Sequence, residues 1–494
     1  IVHGEPDGTV AVEMKLGTIE GIEQDFMGGR VQSFLSVPFA EKPIGEQRFK
    51  PPKVKRAWNG TIETKILSPA CYQGRDTYNE TFWGSEMWNA NTPVSEDCLY
   101  LNIYAPKGAY NLTVMVWLFG GGFYYGSPSL VLYDGRQLAL YWIRDNIFNF
   151  GGNPSRITLF GESAGASSIV AHMIAPASRD LFTNGILQSG ALDNKWAMED
   201  PDQAYMKAME LATLVNCNRT KLEDTVICMR DTPAQQLVDN IWNVPLNFLE
   251  FPFVMVSRDK NFFKHKDALK ALRDGDFRND VNIMIGINHD EGNFWNIYNL
   301  GEFFNEKIEQ PELTKEEFHK CVDTAFAAQS SLVRSATKFV YSDPNCTSDT
   351  EGLPSKFYAE QVNQMVGDYF FTCDSIWMAD KLTEKRNGNK NTGNVYIYYF
   401  DQSSSANPWP KWTGVMHGYE IEFVFGVPLY NDTAEYTARE KPMEGTKRVE
   451  CDLWRHAKDM EYRAYLASLA KKTSSAAALC TTMTSLIAIW LLVS

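Results

Sequence analysis

Three shortages bound what this chain does. Positive charge is in deficit: 47 Lys and Arg stand against 61 Asp and Glu, a net −14. That argues against a nucleic-acid partner and leaves room for a cationic ligand. Histidine is scarce, seven residues in 494, so a base titrating near neutrality has few candidates. Closely spaced cysteines are lacking: the nine lie at 71, 98, 217, 228, 321, 346, 373, 451 and 480, without a C-x-x-C pair. Structural zinc is therefore not expected. Internal repeats, coiled-coil heptads and low-complexity tracts are also missing.

What is present points to an oxidising compartment. Six N-x-S/T acceptors, at Asn59, Asn79, Asn111, Asn218, Asn345 and Asn431, accompany the cysteines, as in a disulfide-bonded secreted or cell-surface glycoprotein. Residues 476–494 carry no charge and finish Leu486-Ile487-Ala488-Ile489-Trp490-Leu491-Leu492-Val493-Ser494, after the small residues Ser474, Ser475 and Ala476. Basic residues do not follow the run, so the pattern predicts a lipid-anchor attachment signal ahead of a spanning helix. The expected division is a catalytic domain over 1–472 and a membrane-directed end over 473–494.

Short apolar runs broken by glycine, from Val10 to Val37, predict antiparallel strands with tight turns. Thr113 to Phe119 is a continuous apolar run, which predicts a strand covered on both faces. Further strands are expected at Asn102–Tyr104, Gly185–Gln188, Val281–Gly286 and Val395–Phe400, with helix over Leu138–Phe150 and through much of 191–280. The whole reads as an α/β fold with a mostly parallel central sheet.

Arg156-Ile157-Thr158-Leu159-Phe160 leads into Gly161-Glu162-Ser163-Ala164-Gly165. A strand, a turn flanked by residues without bulk, and then a helix are what a G-x-S-x-G nucleophile elbow requires. The pattern alone arises by chance in about one chain in six or seven of this length. Gly120-Gly121-Gly122, directly after the Thr113 strand, would add backbone N–H donors for an oxyanion, with Ala164 beside the nucleophile. The base must be a histidine and a carboxylate must orient it. In the chain order Ser, acid, His, His417 is the best placed, and Glu291 and Asp290 compete for the acid from spacing alone.

Phe160-Gly161-Glu162-Ser163-Ala164-Gly165, Ser95-Glu96-Asp97-Cys98-Leu99-Tyr100-Leu101-Asn102 and His417-Gly418-Tyr419-Glu420 together resemble the type-B carboxylesterase family of α/β-hydrolases. Met87-Trp88-Asn89 and the run Trp409 to His417 are similar to its cholinesterase branch. The resemblance implies Glu291 as the acid, because the family's acid stands directly before the Gly of an Asp-Glu-Gly turn. It implies Trp88 for a quaternary ammonium, which suits the strongest cation-π partner, with Glu162 adding negative potential. Tyr124 and Phe294 would line a gorge, Asp76, Trp242 and Tyr298 a cation site at its mouth, and Trp196, Leu249 and Phe251 an acyl pocket. Leu249 stands where vertebrate members commonly carry an aromatic, so acyl groups larger than acetyl should be tolerated.

The same resemblance implies disulfides Cys71–Cys98, Cys217–Cys228 and Cys373–Cys451, leaving Cys321, Cys346 and Cys480 unassigned. Against the family, a segment of several dozen residues with a central strand is missing between Leu138 and Trp142, and a second between Glu440 and Pro442. The implied activity is hydrolysis of acetylcholine through an acetyl-enzyme, without cofactor or metal, by a homodimer held at the extracellular, synaptic membrane face. The alternatives are a broad-specificity carboxylesterase, a cholinesterase-like adhesion protein, or an inactive product of the shortened sequence.

Overall fold

The computed structural model describes residues 8–127, 136–342, 355–384, 392–427, 450–464 and 467. β1 (Gly8–Met14), β2 (Gly17–Phe26) and β3 (Gly29–Pro38) are antiparallel neighbours joined by two-residue turns. Met27 and Gly28 both have positive φ, the conformation that matches the twist of a hairpin. β4 (Thr61–Glu63) runs parallel to β2, and β5 (Tyr100–Pro106) closes this first sheet antiparallel to β3.

The second sheet holds the chemistry. β6 (Leu112–Leu118), β7 (Gly152–Glu162) and β8 (Asn184–Gln188) lie side by side, all parallel. Past the short parallel pair β9 (Met198–Glu199) and β10 (Met255–Val256), the chain adds β11 (Asn282–Asn288) next to β8 and β12 (Val395–Phe400) at the far edge. Parallel pairing needs crossovers. Among the described residues α2 (Arg136–Asn146) joins β6 to β7 and α3 (Ala164–Ile174) joins β7 to β8, after the single turn α1 (Trp83–Glu86). Four helices, α4 (Pro201–Leu214), α5 (Leu222–Asp231), α6 (Ala234–Val238) and α7 (Ala268–Asp274), precede β11. The expected α/β architecture is the one observed.

Every residue of α3 is buried. Its first turn is built of Ala164, Gly165, Ala166, Ser167 and Ser168, small enough for close approach to the sheet. The two buried hydroxyls donate to the Ala191 and Ala164 carbonyls at 2.7 and 2.6 Å, so neither is left unsatisfied. Ile169, Val170, Met173 and Ile174 supply the apolar anchor, each stabilising by about 1.5–3 kcal/mol when fully buried. A second core, rich in aromatic residues, surrounds α8 (Glu291–Asn299), α9 (Lys315–Ala325), α10 (Ser331–Ser342) and α11 (Ser355–Gly367), and α12 (Cys373–Glu384) joins it at Cys373 while its Met378, Ala379 and Leu382 pack in the first.

One expectation needs correction. Among the described residues no strand lies between β6 and β7 in sequence, as the missing segment implies, and β7 is paired on both edges. The interruption falls instead between β5 and β6, where each sheet ends. The run Thr113 to Phe119 is consequently not covered on both faces, and Met115 is 51 % exposed because its strand is an edge. The second missing segment, near Glu440, lies outside the described residues, as do Cys346, Cys480, Asn345, Asn431 and the apolar end.

The three implied disulfides are formed, and Cys321 is a buried free thiol. Asn59, Asn111 and Asn218 are exposed and Asn79 is half-buried. Among the described residues no helix is long and apolar enough to cross a membrane, and no cluster suited to a metal ion occurs.

Candidate active site

The chain turns sharply at the end of β7. Ser163 has φ 55° and ψ −120° and stands at the N-cap of α3, a conformation strained for a residue with a side chain. The flanking glycines are required by contact: a Cβ at Gly161 or Gly165 would fall on the Leu118 carbonyl oxygen of β6. One residue, Phe119, separates Leu118 from the glycine loop, where Gly121 (φ 95°) and Gly122 (φ 55°) are left-handed. The elbow therefore brings that loop against Ser163.

A small enclosed cavity is walled by Ser163, Gly120, Gly121, Gly122, Glu162, His417 and Trp88. His417 is buried, and its Nδ1 lies 2.7 Å from Glu291 Oε2. Glu291 Oε1 accepts the Asn288 N–H at 2.7 Å and the Ser189 hydroxyl, which fixes the carboxylate. The His417 Nε2 lies 3.0 Å from Glu162 Oε1, at ion-pair distance without hydrogen-bond alignment. Burial alone would lower the His417 pKa, but the adjacent Glu162 and Glu291 carboxylates reverse this and push it up to about 10. Burial holds Glu162 above the ordinary carboxylate range although His417 opposes it.

Asp290, the rival acid, faces elsewhere. Its Oδ2 accepts the Val415 N–H at 2.8 Å and its Oδ1 the Asn363 amide at 2.9 Å, so it anchors the loop that carries His417. Burial beneath the site pushes Glu420 up to about 7. Its carboxylate accepts Gln188 Nε2 at 2.9 Å and Asn288 Nδ2 at 2.6 Å, and Asn288 also donates to the Met416 carbonyl at 2.8 Å. Gln188 in turn accepts the Ser163 N–H at 2.8 Å. One buried network thus ties the ends of β7, β8 and β11 to the histidine loop.

Outward from Ser163 lies a cavity of about 510 Å³ lined by Trp88, Tyr124, Leu249, Phe251, Phe294 and Trp295, with Asp76, Trp242 and Tyr298 also on its wall. Tyr298 donates its hydroxyl to Asp76, and Trp242, 47 % exposed, meets Tyr124 edge-on at 4.8 Å. Trp196 is the exception among the expected lining residues. It is fully buried behind Phe251, 6.2 Å between ring centroids, and faces a separate cavity. Residues not anticipated are Trp295 and Phe371, whose rings lie 5.4 and 4.5 Å from the His417 ring, together with Ser189, Asn288 and Glu420. For Trp295 a signal existed: it stands four positions after Glu291, on the same helical face.

The carboxylesterase family model matches residues 8–139 and 132–448. The chain is 48% identical over 562 aligned positions to Acetylcholinesterase 4 of Caenorhabditis briggsae, covering 94% of this chain and 92% of that protein. It is 35% identical over 507 positions to the acetylcholinesterase of Electrophorus electricus, covering 89% and 78%. The first alignment is longer than the chain itself, so that relative carries residues this chain lacks. The family model matches in two stretches that overlap at 132–139, adjoining the interval between Leu138 and Trp142 where the first missing segment was expected. With a family model matched along most of its length and two relatives covered along most of theirs, the chain belongs to the carboxylesterase family, whose fold is the α/β-hydrolase.

Proposed function

We propose that the chain hydrolyses acetylcholine with Ser163 as nucleophile. The observation that carries the reading is the single small cavity in which Ser163, the glycine loop, Trp88 and a His417 held by Glu291 meet. In the proposed reaction Ser163 Oγ attacks the acetyl carbonyl while His417 Nε2 takes its proton. The N–H groups of Gly121, Gly122 and Ala164 receive the oxyanion, choline leaves with the proton, and water repeats the sequence on the acetyl-enzyme. Glu291 keeps the proton on Nδ1 and stabilises the imidazolium. Trp88 and Glu162 hold the quaternary ammonium. No step calls for a metal or cofactor.

The position of Glu162 gives a test. Its carboxylate stabilises the protonated His417, which cannot act as base. In Glu162→Gln the His417 pKa falls, so the acid limb of kcat/KM moves to lower pH, by roughly 1–3 units. At the same time KM for acetylthiocholine rises, while KM for neutral phenyl acetate stays put. An unmoved limb, or equal losses on both esters, would contradict the assignment.

Leu249 and Phe251 share the cavity wall, which supports an acyl pocket with space beyond a methyl group. Butyrylthiocholine should be turned over by the unmodified chain. Leu249→Phe should reduce that activity by roughly 10- to 100-fold while sparing acetylthiocholine. Exclusive use of the acetyl ester by the unmodified chain would dispose of the wide pocket. The uncharged C-terminal run supports a lipid anchor at the outer membrane face, and the three disulfides support an oxidising compartment. Trp196, behind Phe251, acts in this reading as support for the acyl pocket, and a homodimer remains part of the proposal.

A further inference from the structure

Leu249 and Phe251, which wall the proposed acyl pocket, sit on the segment 244–254, outside any helix or strand. Its internal hydrogen bonds are local: Asn247 donates its N–H and its amide to the Glu250 carboxylate, and the Glu250 N–H donates back to the Asn247 carbonyl. Leu249 is left-handed, with φ 56°, a conformation that a residue with a side chain keeps only where its surroundings impose it. The restraint comes from behind. Lys207 on α4 donates to the Phe251 carbonyl at 3.1 Å, and its Nζ lies 2.8 Å from Glu199 Oε2 on β9, with the two side chains only 7 and 5 % exposed. Burial pushes the Glu199 pKa up, and Lys207 and the Val254 N–H oppose it. The ion pair therefore grips the segment at Phe251 and again at Val254.

We infer that Lys207 and Glu199 are positioning residues that set the length of acyl group this site accepts. Neither reaches the ester, because both line the separate cavity behind Trp196 and Phe251 and not the gorge. Phe251 transmits their effect. Its ring meets Tyr124 at 5.2 Å and lies so close to the glycine loop that a Cβ on Gly122 would fall 2.9 Å from it, while its main chain is held by Lys207. A buried ion pair can often be replaced by apolar residues without loss of stability, so stability alone is a weak reason for this one. The bond to Phe251 supplies another: it holds the pocket wall at one distance from Ser163, and a fixed wall makes acyl length count. The inference rests on the esterase reading and on Leu249 and Phe251 as the acyl pocket.

The test replaces both partners in the full chain, Lys207→Met with Glu199→Leu, because removing one alone strands a buried charge. Lys207→Met with Glu199→Gln, closer in shape, gives the same comparison if the first pair folds poorly. The unmodified chain should use hexanoylthiocholine less efficiently than butyrylthiocholine, by roughly tenfold or more in kcat/KM, and the double variant should narrow that gap to about threefold or less. Lys207→Arg, which keeps charge and donor, should preserve the gap. Limited chymotrypsin digestion reads the segment without any ester: cleavage after Phe248 or Phe253 should be about tenfold faster in the double variant. An unchanged acyl gap beside faster cleavage would reduce the pair to structural support and overturn the proposal, as would unchanged cleavage or the absence of a gap in the unmodified chain. If the unmodified chain turned over no ester, the esterase reading would fall and this proposal with it, and the cleavage rates would tell that result apart from a failed clamp.

Discussion

Replacing Ser163 with alanine removes acetylthiocholine turnover, with an expected loss of kcat on the order of 10⁶-fold. The size follows from geometry. Ser163 lines the small cavity that also holds His417 and the glycine loop, and among the described lining residues only Tyr125 carries another hydroxyl. The variant should fold, because Ser163 is held through its main chain: its N–H donates to Gln188 and its carbonyl accepts from Ser167. Circular dichroism and a retained choline-site ligand distinguish lost chemistry from lost structure. Residual activity within tenfold of the unmodified chain would place the nucleophile elsewhere.

The second large effect is at Glu291. Glu291→Gln keeps the shape but offers His417 Nδ1 an amide in place of a carboxylate. The imidazole then loses both its fixed tautomer and the charge that stabilises the imidazolium, and kcat should fall about 10⁴-fold. The same change at Asp290 acts differently. Asp290 touches the histidine loop rather than the ring, so Asp290→Asn should lower thermal stability and reduce kcat far less. The ratio of the two losses, measured in parallel, separates orienting acid from loop anchor. Equal losses would mean that the loop, not the tautomer, controls the reaction.

Much of this was legible because the chemistry is carried by local signals. The elbow, the glycine loop and the N-terminal hairpins each need a few adjacent residues of fixed type, and the structure contains all of them. Glu291 and Asp290 could not be separated by position because they are neighbours; the structure gives them different partners, the His417 ring for Glu291 and the Val415 N–H for Asp290. The Glu420, Asn288 and Gln188 network joins residues up to 232 positions apart, and no periodicity reports such a contact. The place of the missing strand in the sheet was not legible for a similar reason: composition identifies a strand but not its neighbour. The elbow strand keeps both partners, and the open edge is carried by β6 instead.

That arrangement has a physical consequence. The site rests on a five-stranded sheet whose elbow strand is paired on both edges, while among the described residues the pairing is interrupted at the junction between sheets. Exposed apolar edges of this kind promote aggregation, so catalytic competence is expected in the soluble, unaggregated fraction.

The central claim is that Ser163 is the acylated residue. The direct measurement treats the full, unmodified chain with an organophosphate and maps the modified residue by peptide mass spectrometry while following acetylthiocholine turnover. The account predicts one adduct per chain, on the peptide containing Ser163, formed in step with complete loss of activity. Full inactivation with the adduct on another residue, or turnover that survives stoichiometric modification of Ser163, would contradict it.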